Sequence, residues 1–112
     1  MTRGEIWWAT LDEPRGSEPG YRRPVVIVSS DDFNQSKIGT VVVAMITSNA
    51  RLAGAPGNFL ISTKESGLSR ESVVNVSQLL TLDKSFLSEK QRKLPAQKRM
   101  ILNEGLRLFL AL

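Results

Sequence analysis

At 112 residues the chain is predicted to form one domain, residues 1–112, long enough to bury a core without disulfides or metal. It holds no cysteine and no histidine. That excludes a disulfide framework, a thiol nucleophile, a zinc–thiolate site and imidazole acid–base chemistry, so any catalysis must use other side chains or the backbone. The net charge is +4 with a sequence pI near 9.9. Seven basic residues lie between Lys84 and Arg107, against Glu89 and Glu104 alone. A domain of this charge suits a polyanionic partner, a nucleic acid or an acidic polypeptide, and equally a basic surface kept soluble. The opening MTRGEIWW has no apolar signal core, and no run approaches the roughly 20 apolar residues of a membrane span. A soluble, cytoplasmic protein without membrane contact is expected.

Residues 4–11, GEIWWATL, read as a strand, with Trp7 and Trp8 on opposite faces. One enters the core; the other is left exposed, or covers a groove or a partner. Residues 12–23 form a long polar loop punctuated by Pro14, Gly16, Pro19 and Gly20. Residues 24–29, PVVIVS, are a buried strand with Pro24 at its first position, where the missing N–H is tolerated. Residues 30–34 read as a capped helical turn. A second β-branched run, GTVVVAMIT over 39–47, predicts another central strand, ending in the hydroxyl and amide groups of Thr47, Ser48 and Asn49.

Residues 50–57 are expected to be a flexible loop, 58–62 a strand and 63–67 a turn. Residues 72–82, SVVNVSQLLTL, make one long strand or two broken near Ser77 and Gln78. A helical turn is expected over 83–87. A helix starts at Pro95, with Leu102, Leu106 and Phe109 along one face and Gly105 as a mild liability. Five or six short strands followed by one helix predict a mainly β fold. Its form would be a small, strongly curved antiparallel sheet or partly open barrel with the helix packed across it.

No glycine-rich phosphate loop precedes a helix, and no acidic cluster has metal-ligand spacing, so neither metal nor cofactor is expected. What remains is Arg22 and Arg23 at the end of one loop, and Thr47, Ser48 and Asn49 at the end of a second buried strand. If those strands are neighbours, both groups face one cavity. Arginine offers a planar fork of donors that fits a phosphate. Such a site either holds backbone phosphate or stabilises the extra charge of a phosphorane during phosphodiester cleavage. RNA suits the second case because its 2′-hydroxyl is a built-in nucleophile. The plainer alternative is structural: Arg23 paired with Glu18, and Thr47 ending a strand.

GEIWWATL, GSEPGYRRPVVIVSSDDFN, VVVAMITSN and SQLLTLDKSFL with the helix PAQKRMILNEGLRLFL resemble, in this order, the MazF/PemK (Kid) toxins of bacterial toxin–antitoxin modules. The element G-S-E-x-G-x-x-R-P-V, followed by a β-run ending in I-T-S, is the specific part. The resemblance implies an SH3-like or CcdB-like barrel of five to seven short strands with a C-terminal helix, working as a homodimer. It implies an mRNA interferase, a metal-independent endoribonuclease that cuts single-stranded RNA at a short sequence by 2′-hydroxyl attack. The products would be a 2′,3′-cyclic phosphate or 3′-phosphate and a 5′-hydroxyl. It also implies a cognate antitoxin whose acidic, disordered tail occupies the RNA groove.

By the same resemblance Arg23 matches the catalytic arginine, Thr47 the threonine that stabilises the transition state, and Glu18 a loop position that shapes the site. Arg23 is read chiefly as a charge stabiliser and candidate acid. Gly16, Ser17, Tyr21, Arg22, Ser48, Asn49, Asn75, Ser77 and Gln78 are the further candidates for binding substrate, with Tyr21 and Trp8 available to stack on bases. Some members of the family carry an arginine and an acidic residue in the later strand as an acid–base pair. Asn75 and Ser77 stand at those positions here, so that scheme does not carry over and the base for the 2′-hydroxyl is left open. Two alternatives use the same barrel: a gyrase-poisoning toxin related to CcdB, and a non-catalytic nucleic-acid-binding protein.

Overall fold

The computed structural model describes residues 1–11 and 21–112, so Gly16, Ser17 and Glu18 lie outside the described residues. Within them, six strands form one antiparallel sheet: β1 (Glu5–Thr10), β2 (Arg22–Ile27), β3 (Thr40–Thr47), β4 (Phe59–Ile61), β5 (Ser72–Asp83) and β6 (Leu87–Lys93), in the order β4-β5-β3-β2-β1-β6. The helices are α1 (Asp31–Asn34), α2 (Thr63–Ser66) and α3 (Ala96–Leu110). The sheet curls until α2, which follows edge strand β4, meets the opposite edge β6. Arg92 of β6 donates to the carbonyl oxygen of Lys64 at 2.6 Å and packs on Gly67. This is the partly open barrel expected from the sequence.

The β-branched runs occupy the middle of the sheet, as their continuous hydrophobicity requires. Alternation along the strands sends side chains into two clusters. Ile6, Val26, Ala44, Ile46, Val74 and Val76 pack under Leu94, Leu102 and Leu106 on one face. Ala9, Val25, Ile27, Val43, Met45 and Leu82 form the second cluster on the other. Trp7 and Trp8 divide between these faces, and both are half-buried.

Several local expectations change. β2 begins at Arg22, so both arginines belong to the strand and Pro24 is its third residue. Pro24 pairs with Trp8 of β1, while the ladder to β3 starts only at Val25, so its missing N–H interrupts no bond to β3. Residues 50–54, expected to be flexible, form a 3-10 turn held by Asn49, whose side chain accepts from Arg51 N, and by Asn58, which donates to Leu52 O at 2.9 Å. α2 is a helical turn closed by a capping box between Ser62 and Glu65 and by Gly67 in the left-handed region. Ser30 stands at the N-cap of α1 but makes no side-chain bond there.

β5 is a single strand, with a register shift that pairs Ala44 with Leu79 and Met45 with Asn75. The turn over 84–86 leads into β6, which the sequence reading did not contain. In α3, Leu102 and Leu106 are buried as expected, whereas Phe109 is half exposed because the cluster beneath the helix ends at Leu106. Gly105 is no liability. A Cβ there would run into the carbonyl oxygen of Gly57, so glycine lets the helix backbone lie directly on that loop.

Candidate active site

β2 and β3 are hydrogen-bonded neighbours, which brings the start of one to the end of the other. Arg23 donates from Nη2 to the carbonyl oxygen of Ile46 at 3.0 Å and from Nη1 to the Tyr21 hydroxyl at 2.5 Å. Its guanidinium carbon lies 5.7 Å from the Tyr21 ring centre. Thr47 follows Ile46 directly. Its Oγ1 accepts from Asn49 N at 3.2 Å, which leaves the hydroxyl proton free to be donated. An open cleft of about 420 Å³ is lined by Arg23, Thr47 and Ser48, by Trp8 and Pro24, and by Ser69, Arg70 and Ser72 from the segment before β5.

The two arginines are not equivalent. Arg22 lies over the Trp8 ring, 5.1 Å from its centre, and pairs with Glu89 at 3.5 Å. It ties β2 to β6 across β1, an exposed contact of small energetic weight. Arg22 does not line the cleft; Arg23 does. Ser48 lines the cleft, and Asn49 caps the 3-10 turn beside it.

Asn75, Ser77 and Gln78 do not line this cleft. Asn75 is 7% exposed, and its Oδ1 accepts from Ser77 Oγ at 2.7 Å and from Ser77 N at 3.1 Å, while its amide donates to Gln78 at 3.3 Å. Three neutral side chains are thus bonded to one another at this point of β5.

Arg70 escaped the sequence reading, which placed a turn over 63–67 and assigned nothing to 68–71. Its backbone is fixed by Ser72, whose hydroxyl donates to the Arg70 carbonyl at 3.0 Å. Pairing of Thr47 with Val73 brings this segment to the end of β3. That register was the one signal that could have found it. Among the described residues no carboxylate lines the cleft, so its charge is cationic. Also among them, no three of His, Cys, Asp or Glu group as metal ligands, and no helix is long and apolar enough to cross a membrane.

Residues 2–110 match the model of the PemK-like, MazF-like toxins of type II toxin–antitoxin systems. The chain belongs to this family. Endoribonuclease MazF6 of Mycobacterium tuberculosis is 43% identical over 112 residues, spanning 100% of this chain and 98% of the relative. Endoribonuclease MazF of Staphylococcus epidermidis is 37% identical over 100% of this chain and 92% of its own length. Among solved structures, the MazE–MazF complex (Form-II) of Deinococcus radiodurans superposes with a TM-score of 0.80 at 25% identity, covering 100% of this chain and 96% of that one. The Mycobacterium tuberculosis toxin MazF-mt6 gives 0.78 at 24% identity, over 96% and 97%. A mycobacterial endoribonuclease in complex with its cognate antitoxin gives 0.82 at 21%, over 100% and 96%. The curled sheet with its C-terminal helix is thus the MazF toxin fold.

Proposed function

We propose that this MazF-family chain is an endoribonuclease toxin that cuts single-stranded mRNA at a short sequence without a metal ion. The observation that carries the reading is the placement of Arg23 and Thr47 on one cationic cleft, with the guanidinium oriented by the Ile46 carbonyl. The 2′-hydroxyl attacks the adjacent phosphorus and the 5′-oxygen leaves. Arg23 and the Thr47 hydroxyl donate to the phosphoryl oxygens, which gain charge in the transition state. Preorganised donors aimed at developing charge are the strongest single device available to such a site. Arg70 supplies a second cation for substrate phosphate. Trp8, with Ser48 and Ser69, provides surfaces for the flanking nucleotides.

The partners follow from the same reading. A cationic cleft suits the acidic tail of a cognate antitoxin, and relatives include MazF in complex with MazE. A homodimer is supported by apolar residues exposed along α3 and just beyond it, where Met100, Leu108 and Leu112 are 64%, 62% and 85% exposed. The cytoplasm, where mRNA is found, is the compartment this function requires. The gyrase-poisoning and binding-only alternatives are not favoured, because the relatives at 43% and 37% identity are endoribonucleases.

The test is incubation of a long RNA with the pure protein in excess EDTA, with sequencing of the cut ends. Cleavage at one short sequence, with 2′,3′-cyclic phosphate and 5′-hydroxyl ends, is expected. Arg23→Ala should abolish cutting and Thr47→Ala should slow it. Cutting only with added metal would overturn the mechanism, and RNA binding without product would favour the binding-only protein.

A further inference from the structure

The reaction proposed above needs a proton for the departing 5′-oxygen; the chain has no histidine or cysteine to give it, and arginine, the candidate acid of the resemblance, does not give up a proton in proteins. Among the described residues no carboxylate lines the cleft, and Asn75 and Ser77 are bonded to one another. Tyr21 is placed differently. Its hydroxyl oxygen accepts from Arg23 Nη1 at 2.5 Å, and its ring packs against the same guanidinium. A phenol that accepts in this way still has its own proton to donate. The Tyr21 side chain is exposed, and its hydroxyl lies beside the guanidinium that lines the cleft.

We propose that Tyr21 is the general acid of the cleavage step. A phosphate held by Arg23 shares that guanidinium with the Tyr21 hydroxyl, so the leaving oxygen comes within reach of the phenolic proton. The O2′–P bond forms as the P–O5′ bond breaks. The electron pair of the broken bond stays on O5′, which takes the Tyr21 proton and leaves as a 5′-hydroxyl. The 2′-hydroxyl proton passes to water, and the phenolate is reprotonated from water before the next turnover. Arg23, already donating to the phenol oxygen, faces the negative charge left there. Arg23 would then serve both charges that the step creates, one on the phosphoryl oxygens and one on Tyr21.

The proposal rests on the RNA-cleavage reading, and one pair of substrates separates the two. An RNA oligonucleotide spanning a mapped cut site is made with oxygen or with sulfur at the bridging 5′ position of the scissile phosphate. A thiolate leaves without being protonated, so the sulfur substrate has no need of a general acid. Tyr21→Phe keeps the ring against Arg23 and removes only the hydroxyl. Single-turnover rates of Tyr21→Phe should fall about 10²–10³-fold on the oxygen substrate, within the range of general acid catalysis, and stay within a few-fold of the unaltered protein on the sulfur substrate. Arg23→Ala should be slow on both, since charge stabilisation is needed in either case. An equal loss for Tyr21→Phe on both substrates would make Tyr21 a positioning residue and overturn the proposal. An undiminished rate on the oxygen substrate would overturn it as well. Failure of the unaltered protein to cut the oxygen substrate would overturn the RNA-cleavage reading itself, and Tyr21's role with it.

Discussion

Arg23 donates to the carbonyl oxygen of Ile46 at 3.0 Å, which fixes its guanidinium one residue from Thr47. The bond uses Nη2 and a second uses Nη1 toward Tyr21, so the fork is oriented before any substrate arrives. Lysine has the charge but not the fork. Arg23→Lys should therefore retain RNA affinity within a few-fold, while single-turnover cleavage falls by about 10²–10³, the cost of losing one preorganised donor. Cleavage by Arg23→Lys at the unaltered rate would show that charge alone suffices.

The Ser77 hydroxyl donates to Asn75 Oδ1 at 2.7 Å, and Ser77 does not line the cleft. Ser77→Ala should cleave RNA within a few-fold of the unaltered protein, with a stability change of about 1 kcal/mol or less, as for one ordinary hydrogen bond. A loss of a hundredfold, measured in the same cleavage assay, would place β5 back in the reaction.

What the residues disclosed of this fold depended on how each element gains its stability. β2 and β3 are held by burial, and burial is written in continuous runs of valine and isoleucine. The adjacency of Arg23 and Thr47 followed from those two strands being neighbours. β6, LSEKQRK, is an edge strand with only Leu87 buried, and it pairs with β1 through two register shifts. Its order comes from main-chain bonds to β1, and charged side chains are what protect an exposed edge. No apolar pattern marks it. Arg70 was hidden for a similar reason: a tertiary register places it, and its own neighbours LS and ES carry no pattern that marks a site. Gly105 read as a helix defect because the Gly57 backbone against it lies 48 positions earlier in the chain.

The contact between Gly57 and Gly105 is a sensitive point of the core. A methyl group at Gly105 would meet the Gly57 carbonyl, and its next neighbour, Val76 Cγ1, is at 3.2 Å. The gain in helix propensity, roughly 1 kcal/mol, is opposed by overpacking of roughly 1–3 kcal/mol. Gly105→Ala should therefore destabilise the protein or leave it unchanged, with a lower urea midpoint as the expected reading. A midpoint raised by the full propensity gain would mean that helix and loop separate without cost.

Arg70 is exposed, lines the cleft and forms no salt bridge among the described residues. Arg70→Ala should weaken RNA binding to a similar degree across sequences and reduce the slope of log affinity against log salt by about 1, the signature of one lost phosphate contact. The slope comes from titrations over a range of salt concentrations. An unchanged slope with altered sequence preference would instead assign Arg70 to base reading.

Glu5 links the acid stability of the fold to β6. Its carboxylate is 6% exposed, and burial opposes its ionisation. The Lys90 ammonium at 2.9 Å and the donors Thr2 N at 2.8 Å and Trp7 Nε1 at 3.2 Å outweigh that penalty and hold its pKa down to about 2, from an ordinary 4.5. A carboxylate whose folded pKa is depressed contributes its full stabilisation above the unfolded value. As pH falls from 4.5 toward 2, the unfolded chain takes up the proton first and that contribution is lost. It amounts to at most about 3 kcal/mol, and less in practice because Lys90 is half exposed. Urea unfolding of the native protein and of Glu5→Gln, compared at several pH values, isolates the effect. The native protein should be the more stable at neutral pH, and the difference should shrink steadily below pH 4.5. A difference that did not change with pH would mean that the carboxylate acts through its shape and hydrogen bonds rather than its charge.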